Sequence, residues 1–192
     1  MEISDWEAVF SREVEGFNKA APDPSSAHQL DHCVRVWQRC QVLGEKLGAD
    51  LEVLVAAAFL HDLGRQLGLE LHGEKSAELA EPILRKHSFP EEKVPEVLQA
   101  IAKHDYQTSP EERKTLESKI LYDSDKMDAF GAMGIIRHIQ FYYLKGKTAN
   151  EILEMLPKRW EGIMLDESRE LAKKDYEYII VFFQKLNREV RG

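Results

Sequence analysis

Apolar residues recur at the spacing of an α-helix along almost the whole chain. In the first twenty residues they fall at Trp6, Val9, Phe10, Val14 and Phe17, positions that share one helical face. No segment alternates between apolar and polar residues as a half-buried strand does. The pattern therefore predicts an all-α fold, a helical bundle.

The third predicted helix is apolar on nearly every face. It runs from about Asp50 to His61, and almost every residue from Leu51 to Leu60 is apolar. Such a helix is buried among other helices. It ends in the pair His61 and Asp62, and a carboxylate at that position needs a partner because burying an unpaired charge is costly.

Glycines, prolines and short polar runs divide the remaining chain. A break at residues 20–26, with Ser25 and Ser26 as N-cap candidates, separates the first two helices. Loops are predicted at residues 64–68 and, as a surface excursion, at residues 105–114. The further predicted helices run from about Glu74 to His87, from Pro90 to His104, from Tyr122 to about Leu144, and on either side of Pro157.

Length and charge restrict the class of protein. The 192 residues, 43% of them hydrophobic, are enough for one sizeable core and predict a single domain. A net charge of -8 argues against a protein that coats nucleic acid or an anionic membrane. The acidic N-terminus and the lack of an apolar run of ~20 residues favour a cytoplasmic protein. Cys33 and Cys40 lack the spacing of a zinc or redox motif and are predicted to be reduced core residues.

Histidines and aspartates at several predicted helix ends suggest a metal site. Imidazole nitrogen and carboxylate oxygen are the ligands that divalent transition metals take up in hydrolases. A metal in the middle of a bundle can polarise a phosphoryl oxygen and lower the pKa of a bound water, which suffices for phosphoester hydrolysis. The candidate ligands come from three separate elements and are His32, His61, Asp62 and Asp125.

Four sequence blocks, in order, resemble the HD-domain superfamily of metal-dependent phosphohydrolases. More narrowly, they resemble its compact bacterial members that hydrolyse nucleotides and related phosphoesters. The match covers about residues 25–145. The resemblance implies one HD-type domain over residues 1–192, with a helix at 3–20 and helices at 148–190 packed on that core. The blocks begin at His28, Phe59, Ala100 and Leu116, and the last contains the Asp-Ser-Asp-Lys-Met-Asp run that ends at Asp128.

The resemblance also implies roles for individual residues. The family's metal ligands correspond to His32, His61, Asp62 and Asp125. The last is chosen because the family's ligand directly precedes a basic residue, with Asp123 as the alternative. Lys126 resembles a phosphate-binding lysine, and Arg65 stands where relatives often carry a basic residue near the substrate.

Two histidines match the additional ligands of two-metal family members. These are His72 and His104, which could instead protonate the leaving group or stabilise a helix end. The interval from Asp62 to His72 is shorter than in many two-metal relatives. His72 therefore contacts either a second metal or a substrate phosphate.

Several other residues keep more than one interpretation. His28 either contacts the substrate or lies on the surface of the first helical turn. Asp128 could support a ligand, act as a general base or form an ion pair. The pair Lys158-Arg159 either attracts phosphate or is surface charge. His87 and His138 have no partner motif and are predicted to be structural.

Together these features predict hydrolysis of a small phosphoester, a nucleotide or related metabolite, by metal-activated water. The metal is Mn, Co, Ni, Fe, Mg or Zn, Lys126 and Arg65 hold the phosphate, and His72 or His104 assists the leaving oxygen. A di-iron oxygenase is the alternative enzyme, because some HD-fold members use six such ligands to activate oxygen. A catalytically silent nucleotide-binding or interaction module is the alternative from another class. No nucleic acid polymer and no membrane is expected as a partner, and the sequence allows a homodimer.

Overall fold

The computed structural model describes residues 1–20, 30–65 and 72–191. Within those ranges all regular structure is helical and no strand occurs, so the predicted all-α fold is confirmed. No helix of the described ranges is long and apolar enough to cross a membrane. The α-helices are α1 (Ile3–Ala20), α2 (Leu30–Leu47), α3 (Leu51–Leu60), α4 (Gly73–Lys86), α5 (Val94–Ala102), α6 (Leu116–Met127), α7 (Gly131–Phe141), α8 (Ala149–Glu161) and α9 (Asp166–Arg191).

The chain divides into two compact units, Met1–Ser124 and Asp125–Gly192, with the boundary inside α6. Each unit has its own set of buried apolar side chains. The single HD-type domain over the whole chain stays a prediction.

The first unit is built around α3. This helix packs against α1, α2 and α5, and all of its residues from Val53 to Leu60 are buried. Asp50 begins the helix by accepting hydrogen bonds from the backbone N–H groups of Glu52 and Val53, at 2.9 and 3.3 Å, which satisfies donors that a helix N-terminus leaves open. The predicted burial of this apolar helix is confirmed, and its C-terminal end delivers His61 to the interior.

The second unit is organised along α9, which packs against α7 and α8. Ile179 and Phe183 on α9 are fully buried. A Cβ atom added at Gly134 on α7 would lie 2.4 Å from the carbonyl oxygen of Ala129 and 3.3 Å from Ile179 Cδ1. Glycine at this position therefore lets α7 lie close both to the backbone of Ala129 and to α9.

Two predicted boundaries in the second half of the chain are wrong. The helix predicted from Tyr122 to about Leu144 is interrupted at residues 128–130, and α7 begins at Gly131 in the left-handed region with φ of 66°, where glycine is favoured. Pro157 lies inside α8 and does not end it. The helix ends at Glu161, where the N–H of Gly162 donates to the carbonyl of Lys158 and the N–H of Ile163 donates to that of Trp160.

Candidate metal centre

His61 and Asp62 follow α3 directly and are both buried. Continuing the direction of α3 carries them into the interior of the first unit. The His61 Nδ1–H donates to the carbonyl of Ala58 at 2.8 Å. With Nδ1 as the donor, a neutral imidazole presents the lone pair of Nε2 on its other side.

His32 from α2 joins this pair to form the first cluster, defined as His32, His61 and Asp62. The two Nε2 atoms are 3.3 Å apart, and each lies 3.6 Å from Asp62 Oδ2. Ligand atoms ~2.1 Å from one metal in tetrahedral geometry are about 3.4 Å apart. All three residues are buried, so the cluster has the spacing and the donor types of a transition-metal site.

A second cluster uses the other oxygen of the same carboxylate and is defined as Asp62, His72 and His104. His72 Nε2 lies 2.7 Å from Asp62 Oδ1, and His104 Nε2 lies 3.1 Å from His72 Nε2 and 3.5 Å from Asp62 Oδ1. The His104 Nδ1–H donates to the carbonyl of Ile101 at 2.6 Å. As at His61, a backbone carbonyl turns the Nε2 atom toward Asp62.

Four imidazoles thus surround one carboxylate, two at each oxygen. A convergence of imidazole nitrogens on a buried carboxylate is an arrangement that a divalent cation stabilises. The residues of both clusters therefore could hold a metal. His72, whose short interval from Asp62 left two interpretations open, reaches the carboxylate itself.

Two glycines allow the start of α4 to pack closely against the turn that carries Asp62 and against the end of α5. The N–H of Gly64 donates to Ser76 Oγ at 2.9 Å, and a Cβ on Gly64 would lie 2.8 Å from the carbonyl oxygen of His72. A Cβ on Gly73 would lie 2.6 Å from the carbonyl oxygen of Ala102 at the end of α5. Larger residues at either position would push α4, and with it His72, away from the cluster.

The predicted ligand Asp125 belongs to the second unit. Its Oδ2 lies 3.4 Å from Nζ of the adjacent Lys126, and both side chains are largely buried. Asp123, the alternative ligand, is fully buried in the first unit. Ligation by Asp125 and phosphate binding by Lys126 stay predictions.

Asp128 forms the ion pair that was one of its three predicted roles. Its side chain is fully buried in the second unit, and Arg137 Nη1 donates to Oδ2 at 3.1 Å. A buried carboxylate is tolerated when a guanidinium compensates its charge. The pairing gives Asp128 a structural function, and its catalytic role stays a prediction.

The other predicted residues lie at different places. Arg65 ends the turn after α3 and is half-buried, with its N–H bonded to the carbonyl of Asp62. Lys158 and Arg159 lie on α8, where Arg159 Nη2 donates to the Tyr142 hydroxyl at 2.8 Å. His28 lies outside the described residues. The substrate roles of these residues stay predictions.

One predicted surface segment contains two buried charged residues. Within residues 105–114, Asp105 is 9% exposed and Arg113 is 2% exposed, so the description of the whole run as a surface excursion is wrong. Arg113 Nη2 donates to the carbonyl of Asp105 at 2.7 Å, and its guanidinium lies 3.7 Å from the centre of the Tyr122 ring. Burial lowers the pKa of Arg113. In the sequence, the one feature that could have marked Asp105 as a residue near the site is its position directly after the candidate ligand His104.

The cysteines take no part in the clusters. Cys33 and Cys40 are free and buried, which confirms their prediction as reduced core residues. Burial, with the nearby negative charge of Asp62, raises the pKa of the Cys33 thiol. The thiol therefore stays protonated at neutral pH and is a poor metal ligand.

Comparison with protein-family models and known proteins agrees with this geometry. The model of the HD domain matches residues 30–129, a range that contains both clusters. The Bacillus subtilis (strain 168) protein YpgQ is 26% identical over 183 residues, which cover 88% of this chain and 88% of YpgQ.

Solved structures are similar over nearly the full length. A predicted HD superfamily hydrolase from an uncultured Thermotogales bacterium is 28% identical, with a TM-score of 0.68 over 94% of this chain and 90% of that chain. Bacillus subtilis YpgQ in complex with ADP is 26% identical, with a TM-score of 0.72 over 93% of this chain and 98% of that chain.

Proposed function

The chain belongs to the HD-domain family, and from this premise we propose that it is a metal-dependent phosphohydrolase of a small phosphoester, with a nucleotide as the substrate class. The observation that carries the proposal is the pair of buried clusters on the two oxygens of Asp62. Their ligands are those of hydrolytic metal centres. The ADP complex of YpgQ supports a nucleotide as substrate.

The chain's own residues divide the work of such a reaction. His32, His61 and Asp62 would hold one metal ion, with Asp125 as the predicted fourth ligand, and Asp62 would share a second ion with His72 and His104. When bound, a divalent ion lowers the pKa of a water molecule toward neutrality and polarises a phosphoryl oxygen. The cation is proposed from the group Mn, Co, Ni, Fe, Mg and Zn.

The remaining predicted residues bind the substrate. Lys126 and Arg65 would hold the phosphate oxygens through charge-assisted hydrogen bonds. His72 Nε2 is 2.7 Å from Asp62 Oδ1, which favours the metal-ligand role over that of an acid for the leaving oxygen. The proposed enzyme acts in the cytoplasm on a small molecule and needs neither a nucleic acid polymer nor a membrane.

The test is a panel of nucleotides and sugar phosphates, each assayed with Mn, Co, Ni, Mg and Zn for released phosphate and pyrophosphate. We expect His61→Ala to lower kcat/KM by at least ~100-fold, because loss of a metal ligand removes the activated water. His87→Ala is the matched control, since this half-buried histidine bonds Glu13 at 2.7 Å and lies outside both clusters. Hydrolysis that survives His61→Ala unchanged would contradict the proposal.

A di-iron oxygenase is the second candidate, and the specific observation that favours it is the four-histidine set around one shared carboxylate. Nitrogen-rich pairs of sites also suit iron. Metal analysis and oxygen uptake separate the two enzymes. Two irons per chain with turnover that requires oxygen, and no phosphate released from any substrate, would favour the oxygenase. Metal binding without either activity would favour the silent binding module.

A further inference from the structure

One face of α9 presents apolar side chains to solvent. Leu171, Tyr178 and Val181 are 44%, 56% and 60% exposed. The opposite face of the helix packs into the second unit through its buried residues, which are Ser168, Ala172, Ile179 and Phe183. A single exposed apolar residue is ordinary on a protein surface, whereas several in line along one helix indicate a contact surface.

The residues of the solvent-facing side follow the spacing of a coiled coil. Together with three charged positions, the apolar residues fall at alternating intervals of four and three, the a and d positions of a heptad repeat. Side chains at this spacing form a narrow seam through which two helices pack. We call this set the α9 seam, and its members are Glu167, Leu171, Lys174, Tyr178, Val181 and Lys185.

The α9 seam is complementary to itself when a second copy of the helix runs antiparallel. A two-fold axis halfway between Lys174 and Tyr178 places each of these residues opposite the other one in the second copy, as a cation–π contact. The same axis places Leu171 opposite Val181, which makes an apolar layer. Every contact occurs twice, because a two-fold interface is isologous. The lysine also compensates the acidic residues that flank the axis, which are Asp175 and Glu177.

The charges along α9 favour the same orientation. The axis places Glu167 opposite Lys185 of the second copy. Lys185 Nζ lies 3.6 Å from Glu189 Oε1 in an exposed pair, a contact of little energy that the lysine can exchange. Residues 166–177 carry five acidic and three basic side chains, whereas residues 178–190 carry one acidic and two basic. An antiparallel pair brings the acidic half of each helix beside the basic half of the other, and a parallel pair would bring like charges together.

We propose that the α9 seam is the interface of a homodimer in which the α9 helices of two copies pack antiparallel. The seam spans about 27 Å of helix, which is short for a specific interface, so the dimer should dissociate at micromolar concentration. The α9 seam contains no residue of either metal cluster. The inference is therefore independent of the proposed function.

The first measurement is zero-length cross-linking of the wild-type protein with a carbodiimide. Glu167 and Lys185 are 18 residues apart in one helix, or about 27 Å, so an amide bond between them can form only between two chains. Mass spectrometry of the cross-linked dimer should identify the two peptides that contain these residues, joined to each other. A wild-type sample that yields no such pair overturns the proposal, whatever the variants do.

The second measurement is the molar mass by sedimentation equilibrium between about 1 and 200 µM. The wild-type mass should rise toward that of two chains. Val181→Arg should raise the dissociation constant at least about 100-fold, roughly tenfold for each of the two apolar layers that receive a charge. Val190→Arg is the matched control, because this valine of the same helix is 63% exposed and lies off the seam, and it should behave as the wild type. A wild type that is monomeric throughout, or a dimer that Val181→Arg leaves intact, overturns the proposal.

Exchanging the terminal charges of the α9 seam tests the antiparallel orientation. Glu167→Lys alone and Lys185→Glu alone each place like charges opposite each other at both ends, and each should weaken the dimer about 5–30-fold. The double variant restores opposite charges and should return the dissociation constant to within about threefold of the wild type. Single exchanges without effect, or a double variant that does not recover, would reject the antiparallel pairing.

Discussion

Replacing Asp62 by Asn should abolish the effect of metal on thermal stability at both clusters. Oδ1 lies 2.7 Å from His72 Nε2, and Oδ2 lies 3.6 Å from the Nε2 atoms of both His32 and His61. Asparagine keeps the shape of the side chain but removes its charge and one acceptor oxygen. Neither cluster then retains its anionic ligand.

The magnitude follows from the linkage between binding and unfolding. A metal at 100 times its Kd stabilises the folded state by about 2.7 kcal/mol per site. For a chain of this size, 1 kcal/mol corresponds to about 2–4 °C in Tm. Two independent sites should therefore raise the wild-type Tm by about 11–22 °C. His104→Ala removes a ligand of the second cluster only and should keep about half of that increase.

The assay is thermal unfolding followed across a Mn²⁺ titration, starting from protein stripped with a chelator. Asp31→Asn makes the same chemical change one residue from His32, on a carboxylate whose side chain is 58% exposed, and should behave as the wild type. A metal-induced rise in Tm in Asp62→Asn as large as that of the wild type would refute the claim that Asp62 is a ligand shared by both clusters. Complete loss of the metal-induced rise in Tm in His104→Ala would refute the claim that the two clusters bind metal independently.

Three other predictions follow from single positions. Burial lowers the pKa of His138 to about 4, so the unfolded state takes up the proton first as the pH falls below about 6.5. Between pH 7 and pH 5 the free energy of unfolding should fall by about 2 kcal/mol more in the wild type than in His138→Phe, measured with urea. Gly73→Ala should lower the free energy of unfolding by about 1–3 kcal/mol in the same assay, because the added Cβ would lie 2.6 Å from the carbonyl oxygen of Ala102. Gly16 on α1 has open space around it, so Gly16→Ala should instead raise the free energy of unfolding by about 0.5–1 kcal/mol. Lys126→Met should lower kcat/KM about 10–100-fold through loss of a charge-assisted hydrogen bond, and an unchanged kcat/KM would contradict phosphate binding there.

The bundle and the first cluster could be predicted because local patterns carry the information. The apolar run of α3 predicts burial, and a buried helix that ends in His61 and Asp62 must bring a polar site into the core. His32 needed the family resemblance, since a lone histidine at helical spacing is compatible with a simple core role. The structure then places its Nε2 atom 3.3 Å from that of His61.

The types of residue alone do not determine the two helix boundaries that were predicted wrongly. Proline usually interrupts a helix because it lacks an N–H group, yet Pro157 lies inside α8. Conversely, the interruption between α6 and α7 falls where Gly131 adopts a positive φ. A Cβ on Gly131 would also lie 2.9 Å from Asp175 Cγ, so this glycine reflects a close approach between residues far apart in the chain.

The contacts of Asp105 show why the second cluster could be predicted only in part. His72 and His104 are visible in the sequence as candidate ligands, but the carboxylate that accepts from the backbone N–H of His72 lies 33 positions away from it. Asp105 begins a charged and polar run that is typical of a surface loop, yet it is buried, and its carbonyl oxygen accepts from Arg113, which stacks against Tyr122. The placement of His72 is therefore decided by tertiary contacts, and a motif that names the ligands does not specify the groups that hold them in place.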